Sequence, residues 1–448
     1  MGGVAALAGR PLADTVVTDK RTTMPARAAA ALRNRNFRLY SAGVLFSLTG
    51  NWVEAAAFGY VVLLLGGSAA TLGIIGFLNT IPNLVFALPA GALADRFDRR
   101  TLLLLFQGAN MGVAALLAVL WATGTLTLTL LGVIAVVGGS LGTLSFPAFQ
   151  GMLASTVPKD DLESAVALNS LSLQLARFIG PAIAGFLLAA AGPTWVFGAN
   201  AISFVAVLVA VALLPGSRAA GRLMISGSIG EGVRYVFGQR SLASMMILML
   251  LAGIFGTPPV AFMIPAIARI QLHGGPGTLG ALMGGIGLGS VFGSVALLAL
   301  ARRPNKGEPL LAGFLVTGLA IAAIGASTNL TLSIVLTVVG GFCGVLFVGL
   351  STVVVQAMSA NELRARAMAI WAAAFVGMLP FGALLTAGLA AWLGPGNAVL
   401  VDGVAVVVGG IAVRLLRPEI GWLGCAALPE TCIAGTSPAA VALEASSG

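Results

Sequence analysis

The chain has 448 residues, of which 58% are hydrophobic and only 9% charged, with a formal net charge of +9. Soluble domains carry roughly a quarter charged residues, so this composition excludes a soluble globular protein. With one His and three Cys, the chain lacks the residues for a disulfide framework, a zinc cluster or a catalyst built on several histidines. We therefore expect neither an enzyme nor a bound cofactor or metal.

Long apolar stretches recur along the whole chain. A bilayer core needs about 20 apolar residues of helix to cross it. Twelve stretches meet this need and predict an all-α polytopic membrane protein with twelve transmembrane helices in two pseudo-symmetric six-helix halves. The predicted spans are 41–65, 70–90, 101–121, 126–152, 165–191, 194–214, 242–267, 279–300, 310–326, 330–356, 367–393 and 398–416.

The polar segments between and around these spans divide the chain. A disordered cytoplasmic tail is expected first, with Met24 as an alternative start. The C-terminal tail contains Cys425 and Cys432, and a structural disulfide is not expected in the cytoplasm. The predicted divisions are a tail over 1–37, a bundle over 38–214, a cytoplasmic linker over 215–241, a bundle over 242–417 and a tail over 418–448.

Basic residues set the expected orientation, because Lys and Arg near span ends stay on the cytoplasmic side. Of the 24 Lys and Arg residues, Arg177 falls inside a span and Arg269 in the loop between the seventh and eighth spans. All the others fall on one side if both termini are cytoplasmic. We therefore predict a multi-pass protein of the cell membrane with both termini inside. The basic charge lies in short loops rather than on one face, so we do not expect nucleic-acid binding.

The loop after the second predicted span carries a recognisable motif. Residues 91–100 read GALADRFDRR. This run resembles the signature loop of the major facilitator superfamily, from which it departs at Asp98, where the superfamily pattern usually has Gly. The Asp-Arg-aromatic-Asp-Arg-Arg variant resembles the branch that contains the enterobactin exporter and macrolide efflux proteins. RNFR at 35–38, EGVRY at 231–235 and NELRAR at 361–366 also resemble that branch.

The resemblance implies a transporter, functional as a monomer, in which two six-helix halves rock about a central site. Weak repeats between the halves, such as 157–162 with 358–363, agree with this architecture. The motif implies a latch that holds the halves together on the cytoplasmic side when the cavity faces outward. Its residues are Gly91, Asp95, Arg96, Arg99 and Arg100. The alternative interpretation is positive-inside anchoring at the lipid headgroups.

A charge inside a span costs at least about 2.5 kcal/mol without a partner or a water-filled cavity. Three candidates stand out among the ionisable residues of the predicted spans: Glu54, Arg177 and Asp402. Glu54 and Arg177 lie near mid-depth and are the candidates for proton coupling. A buried structural pair is the alternative for both. Arg177 would either neutralise Glu54 or hold an anionic substrate. Asp402 lies a few residues inside the last span, and we favour a structural or loop-proximal role for it.

Small residues in the fifth span form a second candidate motif. Gly180, Pro181 and Gly185 resemble part of the fifth-helix pattern of antiporters in the superfamily, which implies a helix bend and favours export. The alternative is local, since Pro181 lacks an amide hydrogen and glycines allow close helix packing. In the eighth span, Gly-x-x-x-Gly spacing over 285–293 predicts a packing face rather than a phosphate site.

The resemblance also indicates which spans line the cavity: the first, fourth, seventh and tenth. Aromatic and polar residues on these spans suit amphipathic ligands, although any single Phe is more often packed or lipid-facing. The cavity candidates are Asn51, Trp52, Phe58, Ser140, Thr143, Phe146, Phe255, Phe262, Phe342 and Phe347.

Energy coupling follows by elimination, because no GxxxxGK[ST] loop for ATP is present. Ion-gradient coupling is what remains. Together with the resemblance, this predicts a secondary transporter that exports a small amphipathic molecule, such as a siderophore or antibiotic, in exchange for protons. An importer or facilitator of the same fold is the first alternative. A non-transporting membrane sensor or scaffold is the alternative from a different class. Substrate, coupling ion and stoichiometry are left open.

Overall fold

The computed structural model describes residues 30–216, 229–303, 305–360 and 363–422. The first half contains six long helices joined by short turns. Leu128–Ser155 and Leu162–Ala190 are connected by the 3₁₀ turn Lys159–Asp161. The six are α1 Arg35–Leu64, α2 Ala69–Arg96, α3 Arg99–Ala122, α4 Leu128–Ser155, α5 Leu162–Ala190 and α6 Pro193–Leu213.

The second half begins with a short helix, α7, over Ile229–Gly238 inside the predicted linker. It meets the next helix at an angle of 105°. The further helices are α8 Arg240–Leu251, α9 Thr257–Ala266, α10 Pro276–Leu300, α11 Gly307–Ala326, α12 Leu330–Met358, α13 Arg364–Phe375, α14 Leu379–Leu393 and α15 Pro395–Leu416.

The predicted seventh span over 242–267 is helical along its whole length, but it is not a regular α-helix. The π-helical turn Ala252–Gly256 lies between α8 and α9, and a second one, Ile267–Gln271, follows α9. Pro258, Pro259 and Pro265 have no backbone N–H, so the hydrogen bonds that these three positions would donate in a regular α-helix are missing, and both π-helical turns lie close to them. Arg269, expected in a loop, lies in the second π-helical turn.

Ten helices in the described part of the chain are long and apolar enough to cross a membrane, or eleven if α7 and α8 count as one bent span. The first helix, Arg35–Leu64, is not among the ten. It carries Asn51 and Glu54 in its middle, which lower its mean hydropathy. Helices therefore lie where the twelve predicted spans were placed, but only ten or eleven of the described helices pass a test of length and mean hydropathy.

The two ends of the bundle differ in chemistry. At one end lie tight turns with glycines in the left-handed region, Gly66, Gly124, Gly192 and Gly394, with φ between 69° and 82°. We call this the apolar end. The opposite end carries Arg96, Arg99, Arg100 and α7, and we call it the basic end. Glycine suits the tight turns because a Cβ is disfavoured at positive φ.

Buried side chains form clusters that join the halves at one end only. Residues of both halves share one cluster near the apolar end, including Val61, Leu72, Ile267 and Leu279. Near the basic end, each half instead has a cluster of its own among the described residues. Apolar contact therefore joins the halves at the apolar end, and they separate toward the basic end.

Candidate functional site

A cavity of about 1390 Å³ lies between the two halves. Its lining side chains near the basic end are open, with Phe146 64% and Leu298 62% exposed. Near the apolar end the lining is closed, with Val62 fully buried and Leu72 only 3% exposed. The structure is therefore open at the basic end and sealed at the apolar end.

Glycines form the seal at the apolar end. Gly73 of α2 packs on Ala387 of α14, and a Cβ on this glycine would lie 3.0 Å from the Ala387 Cα. Gly185 of α5 packs on Gly280 of α10, where a Cβ would lie 2.9 Å from the Gly280 Cα. Such distances leave no room for a side chain, so the two helix pairs can close this tightly only because glycine is present.

Glu54 lies in the cavity wall and is held by a residue that the sequence analysis missed. The Asn200 side-chain amide of α6 donates a 2.6 Å hydrogen bond to Oε2 of Glu54. Ser203 in turn donates a 3.0 Å hydrogen bond to Oδ1 of Asn200. The approach of α6 to α1 depends on Gly50, since a Cβ there would lie 2.7 Å from the Ser203 Cβ.

Arg177 also lines the cavity but does not pair with Glu54. Its guanidinium lies over the ring of Trp52, 5.3 Å from the ring centroid. Among the described residues, no ion pair joins it to an acidic side chain. The predicted pair of Arg177 and Glu54 is therefore not formed in this conformation, where Glu54 binds Asn200 and Arg177 contacts Trp52.

The structure separates the predicted cavity residues into two groups. Asn51, Trp52, Phe58, Phe146, Phe262 and Phe347 lie in the cavity wall. Four other candidates do not line it: Ser140, Thr143, Phe255 and Phe342.

Each of these four has another environment that accounts for its position. The Ser140 hydroxyl donates to the Val136 carbonyl of its own helix, and that of Thr143 donates to Oδ1 of Asn83. Phe255 packs on the buried cluster of the second half. The backbone of Phe342 lies against Gly293 of α10.

Several polar residues in the wall were not predicted. They are Asn79, Gln107, Asn110, Gln174, Ser290 and Ser294. One pair crosses between the halves, as the Gln174 amide donates a 3.2 Å hydrogen bond to Oγ of Ser294. The available signal was a lone polar residue in an apolar span, which marks a buried partner or a cavity.

In the predicted latch, Arg99 and Arg100 donate hydrogen bonds to backbone carbonyl oxygens. Arg99 donates to the Gly151 carbonyl at 3.2 Å. Arg100 donates to the carbonyls of Val211, at 3.2 Å, and Ala212. These contacts tie α3 to the ends of α4 and α6 within one half.

The acidic residues of the same loop behave differently from each other. Asp98 accepts from the Thr101 amide and begins α3 as its N-cap. Asp95 and Arg96 are exposed, and the Asp95 carboxylate has no hydrogen bond within the described part of the chain. Gly91 borders open space. Of the related NELRAR segment, residues 361 and 362 lie outside the described residues, as do Met24, Cys425 and Cys432.

The Gly180–Pro181 motif and Asp402 both take part in contacts between helices. Helix α5 continues through Pro181, and Gly180 lets α1 approach, since a Cβ there would lie 3.0 Å from the Thr49 carbonyl oxygen. Asp402 is fully buried away from the cavity wall and accepts a 2.7 Å hydrogen bond from Thr386. Its other oxygen, Oδ1, has no partner among the described residues.

The helical bundle, its central cavity and its one-sided opening define a membrane transporter of the major facilitator type. The family model described as transmembrane secretion effector matches residues 26–421. The chain belongs to this family.

Curated relatives cover much of the chain at low identity. The multidrug efflux pump Tap of Mycolicibacterium fortuitum is 24% identical over 76% of this chain and 86% of its own length. The enterobactin exporter EntS of Citrobacter koseri is 26% identical, over 74% and 79% respectively. The staphyloferrin A transporter of Staphylococcus aureus is 33% identical over a shorter part, 37% of this chain and 42% of its own.

Solved structures support the fold. A D-xylose–proton symporter superposes with a TM-score of 0.68 at 14% identity, covering 86% of this chain and 98% of the other. The nucleoside transporter NupG gives a TM-score of 0.67 at 13% identity, covering 85% and 98%. At such identities the likeness extends to the fold alone.

Proposed function

We propose that the protein exports small amphipathic molecules across the cell membrane in exchange for protons. The observation that carries this proposal is the position of Glu54, an acidic side chain in the wall of a large and mostly apolar cavity. The relatives Tap, an efflux pump, and EntS, an exporter, support the outward direction. A siderophore or an antibiotic-like compound fits this class of cargo.

Orientation in the membrane is part of the proposal. Lys and Arg near span ends stay in the cytoplasm, so the basic end faces the cytoplasm, as do both termini. The cavity then opens inward in this structure, where a cytoplasmic or membrane-dissolved molecule can enter it. The bundles over 38–214 and 242–417 are the bodies that rock, and the cytoplasmic segment 215–241 links them in a functional monomer.

Proton exchange would take place at the Glu54 carboxylate. Asn200 engages Oε2, so a proton can bind Oε1 without displacing that hydrogen bond. In the inward-open state the carboxyl releases its proton to cytoplasmic water while cargo enters. In the outward-open state it takes up a proton as cargo leaves. The Glu54 carboxyl thus carries a proton inward when the protein returns from the outward-open to the inward-open state. One proton then enters as cargo leaves, which is the exchange that antiport requires.

The test uses energised inside-out vesicles that contain a pH-sensitive dye. A cargo should collapse part of the pH gradient in vesicles with the protein and not in matched vesicles without it. Siderophores and hydrophobic antibiotics are the compounds to screen. Accumulation of the same compound by intact cells that make the protein, without proton movement, would instead support an importer.

A further inference from the structure

Arg177 is a cation in the cavity wall that lacks an anionic partner. Its guanidinium has an aromatic neighbour, Trp52, and no ion pair among the described residues. Elsewhere in the described chain, Arg366 pairs with Glu231 at 2.6 Å. A guanidinium in an apolar, partly enclosed place is costly unless an anion or water compensates for it.

The neighbouring polar groups of the wall have other partners. The Glu54 carboxylate accepts its hydrogen bond from Asn200. The Gln174 amide, on the same helix as Arg177, donates to Ser294 of the other half. The guanidinium N–H groups of Arg177 are therefore the charged donors in this region to which a molecule inside the cavity can bind.

The chemistry of the side chain narrows the class of ligand. A guanidinium presents donors in a planar fork that matches a carboxylate, sulfonate or phosphate, whereas it repels a cation. Trp52 fixes one face of the fork, so the donors at its edge stay available. Phe58 and Phe262 are aromatic surfaces of the same cavity and suit a ring or another apolar body.

We propose that Arg177, oriented by Trp52, is an anion-binding subsite of the cavity, and that the cargo joins an acidic group to an apolar or aromatic body. The inference rests on the proposed function only in taking the cavity as the place where cargo binds. It predicts discrimination between two molecules of the same shape that differ in one acidic group.

The chain offers a matched control. Arg269 lies over the ring of Tyr60, also 5.3 Å from the centroid. Tyr60 belongs to the buried cluster near the apolar end, and neither residue lines the cavity. Arg269→Gln therefore removes an equivalent cation–aromatic contact without touching the proposed subsite, and it reports the purely structural effect of such a loss.

The experiment measures binding rather than transport. Equilibrium dialysis is carried out on the full chain in phosphatidylcholine nanodiscs, with empty nanodiscs as the blank. The probes are 8-anilinonaphthalene-1-sulfonate and N-phenyl-1-naphthylamine, which share their rings and differ by the sulfonate. Wild type, Arg177→Gln, Arg177→Lys and Arg269→Gln are compared, and their melting temperatures check folding.

We expect Arg177→Gln to weaken binding of the sulfonate by about tenfold or more, because a hydrogen bond to a charged group contributes about 1.5–3 kcal/mol. Arg177→Lys should lose less, since it keeps the charge and loses the fork. Binding of the neutral dye should stay within about twofold in both variants. Arg269→Gln should bind both dyes as wild type does.

Three results would overturn the inference: equal weakening of both dyes, unchanged affinity for the sulfonate in Arg177→Gln, or no saturable binding of the sulfonate by wild type. If Arg177→Gln fails to fold, Arg177→Lys alone decides, through the difference between the two dyes. Binding as expected without any cargo-driven proton movement would keep the subsite and refute the proposed export. Proton-coupled export without discrimination between the dyes would support the proposed export and refute the subsite.

Discussion

The Asn200 amide nitrogen lies 2.6 Å from the Glu54 carboxylate and so ties α6 to the acidic residue of the cavity wall. Asn200 itself is only 1% exposed. The Asn200 amide is itself supported by Ser203, so it holds the Glu54 carboxylate in one orientation. Under the proposed function, this orientation keeps the site of proton exchange in one place.

We expect Asn200→Ala to slow gradient-driven transport by about tenfold, because a hydrogen bond to a charged group contributes about 1.5–3 kcal/mol. Ser203→Ala removes only the support of Asn200 and should have a smaller effect. The measurement is cargo efflux from vesicles under a fixed pH gradient. Wild-type rates in Asn200→Ala would show that the bond has no part in coupling.

The tight helix contacts at the apolar end predict that a larger side chain at Gly73 shifts the protein toward the outward-open conformation. In Gly73→Val, the new side chain would clash with Ala387, so the closed apolar end should be destabilised relative to the outward-open state. A cysteine at Ile324, now 2% exposed in the cavity wall, should then react faster with a membrane-impermeant maleimide added from outside. The native cysteines are replaced for this measurement.

The matched control for Gly73→Val is Gly112→Val. Gly112 is also within a long helix, but a Cβ there meets nothing within 4 Å, so labelling at position 324 should not change. Equal labelling in Gly73→Val and Gly112→Val would contradict the assignment of the α2–α14 contact as the closure at the apolar end.

In the loop over 91–100, we expect Arg100 to stabilise the fold and Asp95 to act in the conformational change of transport. Arg100→Gln loses its bonds to the end of α6 and should destabilise the protein by about 1 kcal/mol, measured as a lower melting temperature. Asp95→Asn should leave that temperature unchanged, because Asp95 is exposed, yet slow transport if the latch forms in the outward-open state. A normal transport rate and accessibility pattern in Asp95→Asn would refute the latch.

Thr386 is the donor that the buried Asp402 carboxyl accepts from. Replacing it by the isosteric valine leaves a buried acceptor unsatisfied, which costs about 1–3 kcal/mol. We expect a lower melting temperature for Thr386→Val than for Thr352→Val, because the Thr352 hydroxyl donates to the Val348 carbonyl of its own helix and to no other described residue. Equal melting temperatures would show that Asp402 finds another donor.

The class of fold could be predicted from the sequence because bilayer thickness converts directly into the length of an apolar stretch. Glu54 and Arg177 could be singled out by the same logic, since a charge in such a stretch calls for a cavity or a partner. Their actual partners, Asn200 and Trp52, could not, because helix rotation and packing decide which faces meet.

Contacts between the halves were also beyond the sequence. Gly73 and Gly280 look like any other glycines in apolar helices, and only the packing of α2 on α14 and of α5 on α10 gives them a role. Four cavity candidates, Phe342 among them, were misplaced for the same reason. A residue's span is readable from hydropathy, whereas its face depends on neighbours far away in the chain.

The most direct test of the account compares two modes of transport in proteoliposomes that contain Glu54→Gln. A cargo identified in the vesicle screen is followed first in counterflow without a gradient, and then under an imposed pH gradient. We predict that the variant retains counterflow and loses acceleration by the gradient, while wild type shows both. Full acceleration by the gradient in Glu54→Gln would contradict the claim that this carboxyl carries the proton.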